Sequence, residues 1–175
     1  MPNRPPQTPA SLDAVKKREN DPAHPELDEA QGRESCLHNG LRLPDGHVAE
    51  AAGVEMILVG DSVANTTLGY RHTTSVDMED MIRHNAVTWA VEYAFVVGDM
   101  PYMSYMPYMS YQPSDEAAIR NAGRFIAEAG CDAVKCEGGV RVAPRIKAMV
   151  DAGLVVMGHI GLTPQSLAQL GGCRV

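Results

Sequence analysis

The sequence has no long hydrophobic run. No apolar stretch approaches the roughly 18 residues that a bilayer-spanning helix needs. The first twenty residues, MPNRPPQTPASLDAVKKREN, contain no apolar core of the kind a secretory signal carries. There is no C-x-x-C pair and no cluster of cysteine with histidine, so the common zinc frameworks are absent. The four cysteines, Cys36, Cys131, Cys136 and Cys173, read as reduced thiols of a cytoplasmic protein. Cys131 and Cys136 flank an apolar strand candidate and read as small core side chains. Positive charge is also in deficit. Fifteen Lys and Arg stand against 22 Asp and Glu, for a formal net charge of -7. That balance argues against a nucleic-acid or anionic-membrane partner.

What is present is enough for one folded unit. The chain has 175 residues, 45% of them hydrophobic and 21% charged, which suffices for a real core. Residues Met1 to Ser35 are rich in Pro, Asp, Glu and Lys and read as a disordered or loosely attached tail. Residues 36–175 read as the domain. Between Ser35 and Pro44 no strand can be assigned. Beyond that the pattern becomes regular. Val48 to Ala52 reads as the end of a helix closed by Gly53. Val54 to Val59 reads as a buried strand, and Asp77 to Ala90 as a helix with Met78, Met81, Ile82 and Asn85 along one face. Tyr93 to Gly98 is a second strand. Ser114 is an N-cap for a helix that runs to Ala129 and stops at Gly130. Ala133 to Cys136, a helix over Arg141 to Ala152, and a strand over Leu154 to Met157 complete the series. Nearly all-apolar strands alternating with helices predict an α/β fold with a parallel sheet.

The function classes narrow at the strand ends. Asp61 and Ser62 follow one strand, and Asp99 follows the next. Lys135 and Glu137 close the third, and His159 follows the fourth. In a parallel α/β fold these ends share one face. Three carboxylates on one face need a countercharge, or their pKa values rise. Hard oxygen donors of this kind suit magnesium better than zinc. Lys135 suits an anionic substrate group, and His159 can donate to a developing oxyanion. The pattern alone predicts a metal-assisted enzyme acting on a small anionic substrate.

Four stretches are more specific: Met56-Ile-Leu-Val-Gly-Asp-Ser62, Asp99-Met-Pro-Tyr-Met-Ser-Tyr105, Val134-Lys-Cys-Glu-Gly-Gly139 and Gly158-His-Ile-Gly-Leu-Thr-Pro-Gln-Ser166. In order and spacing they resemble the ketopantoate hydroxymethyltransferase family, and Leu68-Gly-Tyr70 followed by Thr73-Thr74 fits as well. The resemblance covers about Gly53 to Val175. It implies a (β/α)8 TIM-type barrel, here partial, with C-terminal units missing. It implies hydroxymethyl transfer from 5,10-methylenetetrahydrofolate to 3-methyl-2-oxobutanoate, giving ketopantoate for pantothenate biosynthesis, with Mg2+ as cofactor. Asp61, Asp99 and Glu137 would hold or neighbour the metal. Ser62, Asp99, Lys135 and His159 would bind the oxoacid. The family's general base is expected beyond Val175, and the resemblance implies a homo-oligomer that binds an oxoacid and a folate.

The sequence departs from that pattern in places. The region from Ser35 to Pro44 lacks the family's first-strand word. Pro101-Tyr-Met-Ser-Tyr105 recurs as Pro107-Tyr-Met-Ser-Tyr111, which reads as a short tandem duplication in a loop. Trp89-Ala90-Val91-Glu92 stands where a Gly-containing turn is usual. With the chain ending at Val175, impaired turnover is expected. Two alternatives stay open: a non-catalytic barrel fragment that binds Mg2+ and small oxoacids, and an enzyme like phosphoenolpyruvate mutase or isocitrate lyase.

Overall fold

The computed structural model describes residues 37–39, 43–102 and 114–166. The tail expected over Met1 to Ser35 and most of the duplicated Pro101–Tyr111 stretch lie outside them, as do Cys36 and Cys173. In chain order the elements are β1 (Leu37–Asn39), α1 (Leu43–Ala51), β2 (Met56–Val59), α2 (Val63–Thr66), α3 (Met78–His84), β3 (Phe95–Asp99), α4 (Asp115–Ala129), β4 (Ala133–Glu137), α5 (Ala143–Asp151) and β5 (Val156–His159). Short 3-10 turns occupy Thr73–Ser75, Asn85–Ala90, Gly139–Arg141 and Pro164–Ser166. None of the described helices is long and apolar enough to cross a membrane.

The described strands form one sheet in the order β1-β2-β3-β4-β5, and every neighbouring pair is parallel. The order follows the chain without a reversal. A doubly wound sheet would reverse at a switch point, whereas a barrel adds each strand beside the last. The fold is therefore α/β, a partial (β/α)8 TIM-type barrel with parallel strands alternating with helices.

The middle of the sheet is the most deeply buried, and there the strands are apolar except at their carboxyl ends. Every residue of β4 is buried. Val134 and Cys136 lie in the core beneath the helices, with Phe125, Met78, Met81 and Met149. Lys135 and Glu137 alternate with them and point to the opposite face, as the two-residue period of a strand requires. Cys131 and Cys136 are buried free thiols in that core, as expected. Burial pushes the Cys131 thiol up to about 12 and raises that of Cys136 as well. Neither suits a thiolate role.

The helices begin and end where local chemistry dictates. Ser114 Oγ accepts from the Ala117 amide at 3.0 Å to start α4, and Gly130 closes it with a left-handed φ of 73°. Asp77 starts α3 with a capping box, its carboxylate accepting from Asp80 N at 2.8 Å.

Two expectations are corrected. The helix expected over Asp77–Ala90 is two pieces, α3 and then a 3-10 turn from Asn85. The buried Asn85 amide donates to Met81 O at 2.7 Å, and Thr88 Oγ1 donates to Asn85 O at 3.0 Å. Side-chain bonds of this kind compete with continued α-helix. The Ser35–Pro44 region, where no strand could be assigned, contributes β1, paired in parallel with β2 through Leu37↔Met56 to Asn39↔Leu58. Three residues are too few to show a period, so the pairing comes from the neighbouring strand.

Candidate active site

The strand register sets the geometry. Asp99 on β3 is the Cα partner of Lys135 on β4, and Glu137 on β4 is the partner of His159 on β5. Partners across a parallel pair point to the same face, and residues two apart do so too. These four side chains therefore share one face at the carboxyl end of the sheet. Both register pairs are in contact. Lys135 Nζ donates to Asp99 Oδ2 at 2.7 Å, and His159 Nδ1 lies 3.2 Å from Glu137 Oε2.

Asp61 reaches the same place from the turn after β2. Its backbone N–H donates to Asp99 Oδ2 at 3.0 Å. Asp99 is 1% exposed, and its other oxygen, Oδ1, is buried with no hydrogen-bond partner. Burial pushes the Asp99 carboxyl up to about 7, with Asp61 adding to the rise and Lys135 opposing it. Glu137 is raised as well, first by burial, against hydrogen bonds from Gln165 and His159. Ser62 is half-buried and follows Asp61 directly, at the start of α2.

The strand-end reading passed over Gln165. This residue is buried on the 3-10 turn Pro164–Ser166. Its backbone N–H donates to Glu137 Oε1 at 2.6 Å. Its side-chain Nε2 donates to Asp61 Oδ2 at 3.0 Å and to Met100 O at 2.9 Å. Asp61, Asp99, Lys135, Glu137 and His159 are thus linked with Gln165 by short polar contacts. The sequence signal was weak: an uncharged amide, six residues past His159, at the end of the Gly158–Ser166 stretch.

Among the described residues, no group of three His, Cys, Asp or Glu side chains is arranged to hold a metal ion by itself. Glu137 has one oxygen on Gln165 and the other on His159, and one oxygen of Asp61 is taken by Gln165. What remains for a cation is the buried, unpartnered Asp99 Oδ1 together with the carboxylate of Asp61, whose backbone N–H is bonded to Asp99 Oδ2. Magnesium is usually held in this way, by one or two carboxylates with water and substrate completing the shell. An orphaned, buried carboxylate oxygen is costly without a partner, and a hard cation would supply one. The donors present fit magnesium.

Taken together, the fold and this cluster define a barrel protein of the α/β class, with a polar centre built at the carboxyl ends of its parallel strands. The model of the ketopantoate hydroxymethyltransferase family matches residues 31–175. A 3-methyl-2-oxobutanoate hydroxymethyltransferase of Thermoanaerobacter sp. (strain X514) is 49% identical over 146 residues, 83% of this chain and 51% of the relative. Its counterpart in Alkaliphilus metalliredigens (strain QYMF) is 55% identical over 132 residues, 75% of this chain and 45% of the relative. The chain belongs to the ketopantoate hydroxymethyltransferase family, and it spans about half the length of the curated relatives it matches.

Solved structures with the same fold include a phosphonopyruvate hydrolase complexed with oxalate and Mg2+. It has a TM-score of 0.62 at 13% identity, covering 91% of this chain and 54% of that one. Another is 2,3-dimethylmalate lyase, a member of the PEP mutase/isocitrate lyase superfamily. It has a TM-score of 0.59 at 16% identity, covering 83% of this chain and 51% of that one. At such low identity the likeness is one of fold alone. The half-sequence identity to the transferases carries the family.

Proposed function

We propose that this chain supplies the oxoacid and magnesium half of a ketopantoate hydroxymethyltransferase site. The reaction transfers a hydroxymethyl group from 5,10-methylenetetrahydrofolate to 3-methyl-2-oxobutanoate and gives ketopantoate. The observation that carries the reading is Asp99, buried and tethered through one oxygen to Lys135 and the Asp61 amide, with its other oxygen unpartnered. Membership of the ketopantoate hydroxymethyltransferase family supports it.

In this reading Asp99 and Asp61 hold the cation, and Glu137 lies beside it. When bound there, magnesium supplies Lewis-acid stabilisation for negative charge developing on a keto oxygen. Lys135 brings a positive charge to the same face, and Ser62 brings a hydroxyl beside Asp61. Both suit the carboxylate of a short 2-oxoacid. His159 has Nδ1 held by Glu137, which orients the ring and leaves its other nitrogen for a substrate oxygen.

The test is calorimetric titration of the purified chain with 3-methyl-2-oxobutanoate, with and without Mg2+, beside an assay for ketopantoate. Oxoacid binding that requires Mg2+ and is lost in Asp99→Ala is the expected result. Oxoacid binding that ignores both the metal and Asp99 would overturn the assignment.

A further inference from the structure

We infer that Gln165 is a positioning residue, which fixes the carboxylates of Asp61 and Glu137 in the orientation that metal binding uses. The inference rests on the reading of this cluster as a magnesium site. Gln165 is 3% exposed, so its amide must find its partners inside the protein. Both recorded partners of Nε2 are pure acceptors, a carboxylate oxygen of Asp61 and the carbonyl oxygen of Met100. A flipped amide would set oxygen against oxygen at both contacts, so the NH2 must face them.

The backbone adds a third restraint, the donation from Gln165 N to Glu137 Oε1 at 2.6 Å. One residue thus ties together groups that follow β2 and β3 and the last residue of β4. Its own turn is stiffened by Pro164 and by Ser166 N donating to Thr163 O at 2.9 Å. A side chain that only filled space would be apolar. This one places a donor on one oxygen of a carboxylate assigned to the cation, which sets the carboxylate's rotation. Outer groups of this kind change metal affinity without touching the metal.

Electron paramagnetic resonance titration of the whole chain with Mn2+, used as a spectroscopic probe for Mg2+, tests this. Gln165→Met keeps length and removes the donor. Gln165→Asn keeps the amide and the backbone N–H but falls one methylene short of Asp61. Both are expected to weaken Mn2+ binding about 10- to 100-fold, the usual range for losing such a partner, with circular dichroism showing folded protein. Wild-type Mn2+ affinity in either folded variant, with only the thermal midpoint lowered, would mean a purely structural role and overturn the inference. If the parent chain binds no Mn2+, the metal reading itself fails and this inference falls with it. The two failures are therefore distinguishable from the parent titration alone.

Discussion

Lys135 Nζ meets Asp99 Oδ2 at 2.7 Å because the two residues are register partners on β4 and β3. The pair is buried on both sides, with side-chain exposures of 10% and 1%. Removing one member of a buried pair leaves the other charge uncompensated, at a cost of about 3–5 kcal/mol. Lys135→Met should therefore lower stability by about that much at pH 8. At pH 5 the loss should be smaller, since Asp99 can take up a proton instead. Urea denaturation of parent and variant at the two pH values measures it. An equal loss at both would mean that Asp99 does not titrate between them.

The raised carboxyl of Asp99 makes stability depend on pH in a defined direction. Its folded value is about 7 against an ordinary 3.8. The folded chain thus holds a proton that the unfolded chain releases, and stability falls as pH rises across that interval. The contribution is fully present below about pH 4 and is lost by the time pH has passed about 7. Glu137 is shifted in the same direction. Without divalent metal, the urea midpoint should be lower at pH 8 than at pH 5, and Asp99→Asn should flatten the difference. Added Mg2+ should restore stability mainly at the higher pH, where the carboxylates are charged. A midpoint that climbs from pH 5 to pH 8 in metal-free buffer would contradict the burial argument.

Much of this was legible in the residues, for a reason that lies in strand geometry. Asp61, Asp99, Lys135, Glu137 and His159 stand at the ends of apolar runs, and a parallel sheet brings such ends to one face. The side-chain pairings were not legible, because they depend on register. Nothing in the sequence says that Asp99 lies opposite Lys135 rather than Glu137. Gln165 escaped because it is uncharged and sits on a turn rather than at a strand end. The break at Asn85 escaped for a related reason. Its amide is satisfied by Met81 O, four residues back, while Cys131 Sγ donates to its Oδ1 at 3.1 Å across 46 residues. Local periodicity cannot show the second contact. The likenesses among solved structures show a shared fold at 13–16% identity, whereas the family rests on the sequence words themselves.

Glu50, at the end of α1, holds the entry to β3 through hydrogen bonds alone. Its carboxylate accepts from Glu92 N at 2.9 Å, from Ala94 N at 2.8 Å and from Tyr93 N. Three successive amides thus converge on one side chain. Glu50→Ala returns them to solvent or leaves them unmet, and about 1–2 kcal/mol of stability should go with them. Glu50→Gln keeps one acceptor oxygen and should fall between the two. Thermal unfolding of the three proteins gives the order. Faster amide exchange at residues 92–94 in the alanine variant would localise the effect. Equal stability of all three would show that water replaces the carboxylate at no cost.

Gly98 is the residue before Asp99, and its position on β3 leaves no room for a side chain. A Cβ there would lie 2.4 Å from Phe125 Cδ1, 2.9 Å from Phe125 Cε1 and 3.0 Å from Asn85 Oδ1. The Phe125 ring, carried by α4, is fully buried in the core. Overpacking of this kind costs about 1–3 kcal/mol, and one relief is to push β3 away from α4. That movement would carry Asp99 with it, since Asp99 follows directly on the same strand. Gly98→Ala should therefore lower the unfolding midpoint and weaken Mn2+ binding together, though it touches no ligand. Shrinking the obstacle separates the two causes. In the double variant Gly98→Ala with Phe125→Leu, part of both losses should return, because the new methyl group then occupies space the ring has vacated. Additive damage in the double variant, with no recovery of Mn2+ affinity, would show that the strand does not move and that Asp99 is insulated from the packing behind it.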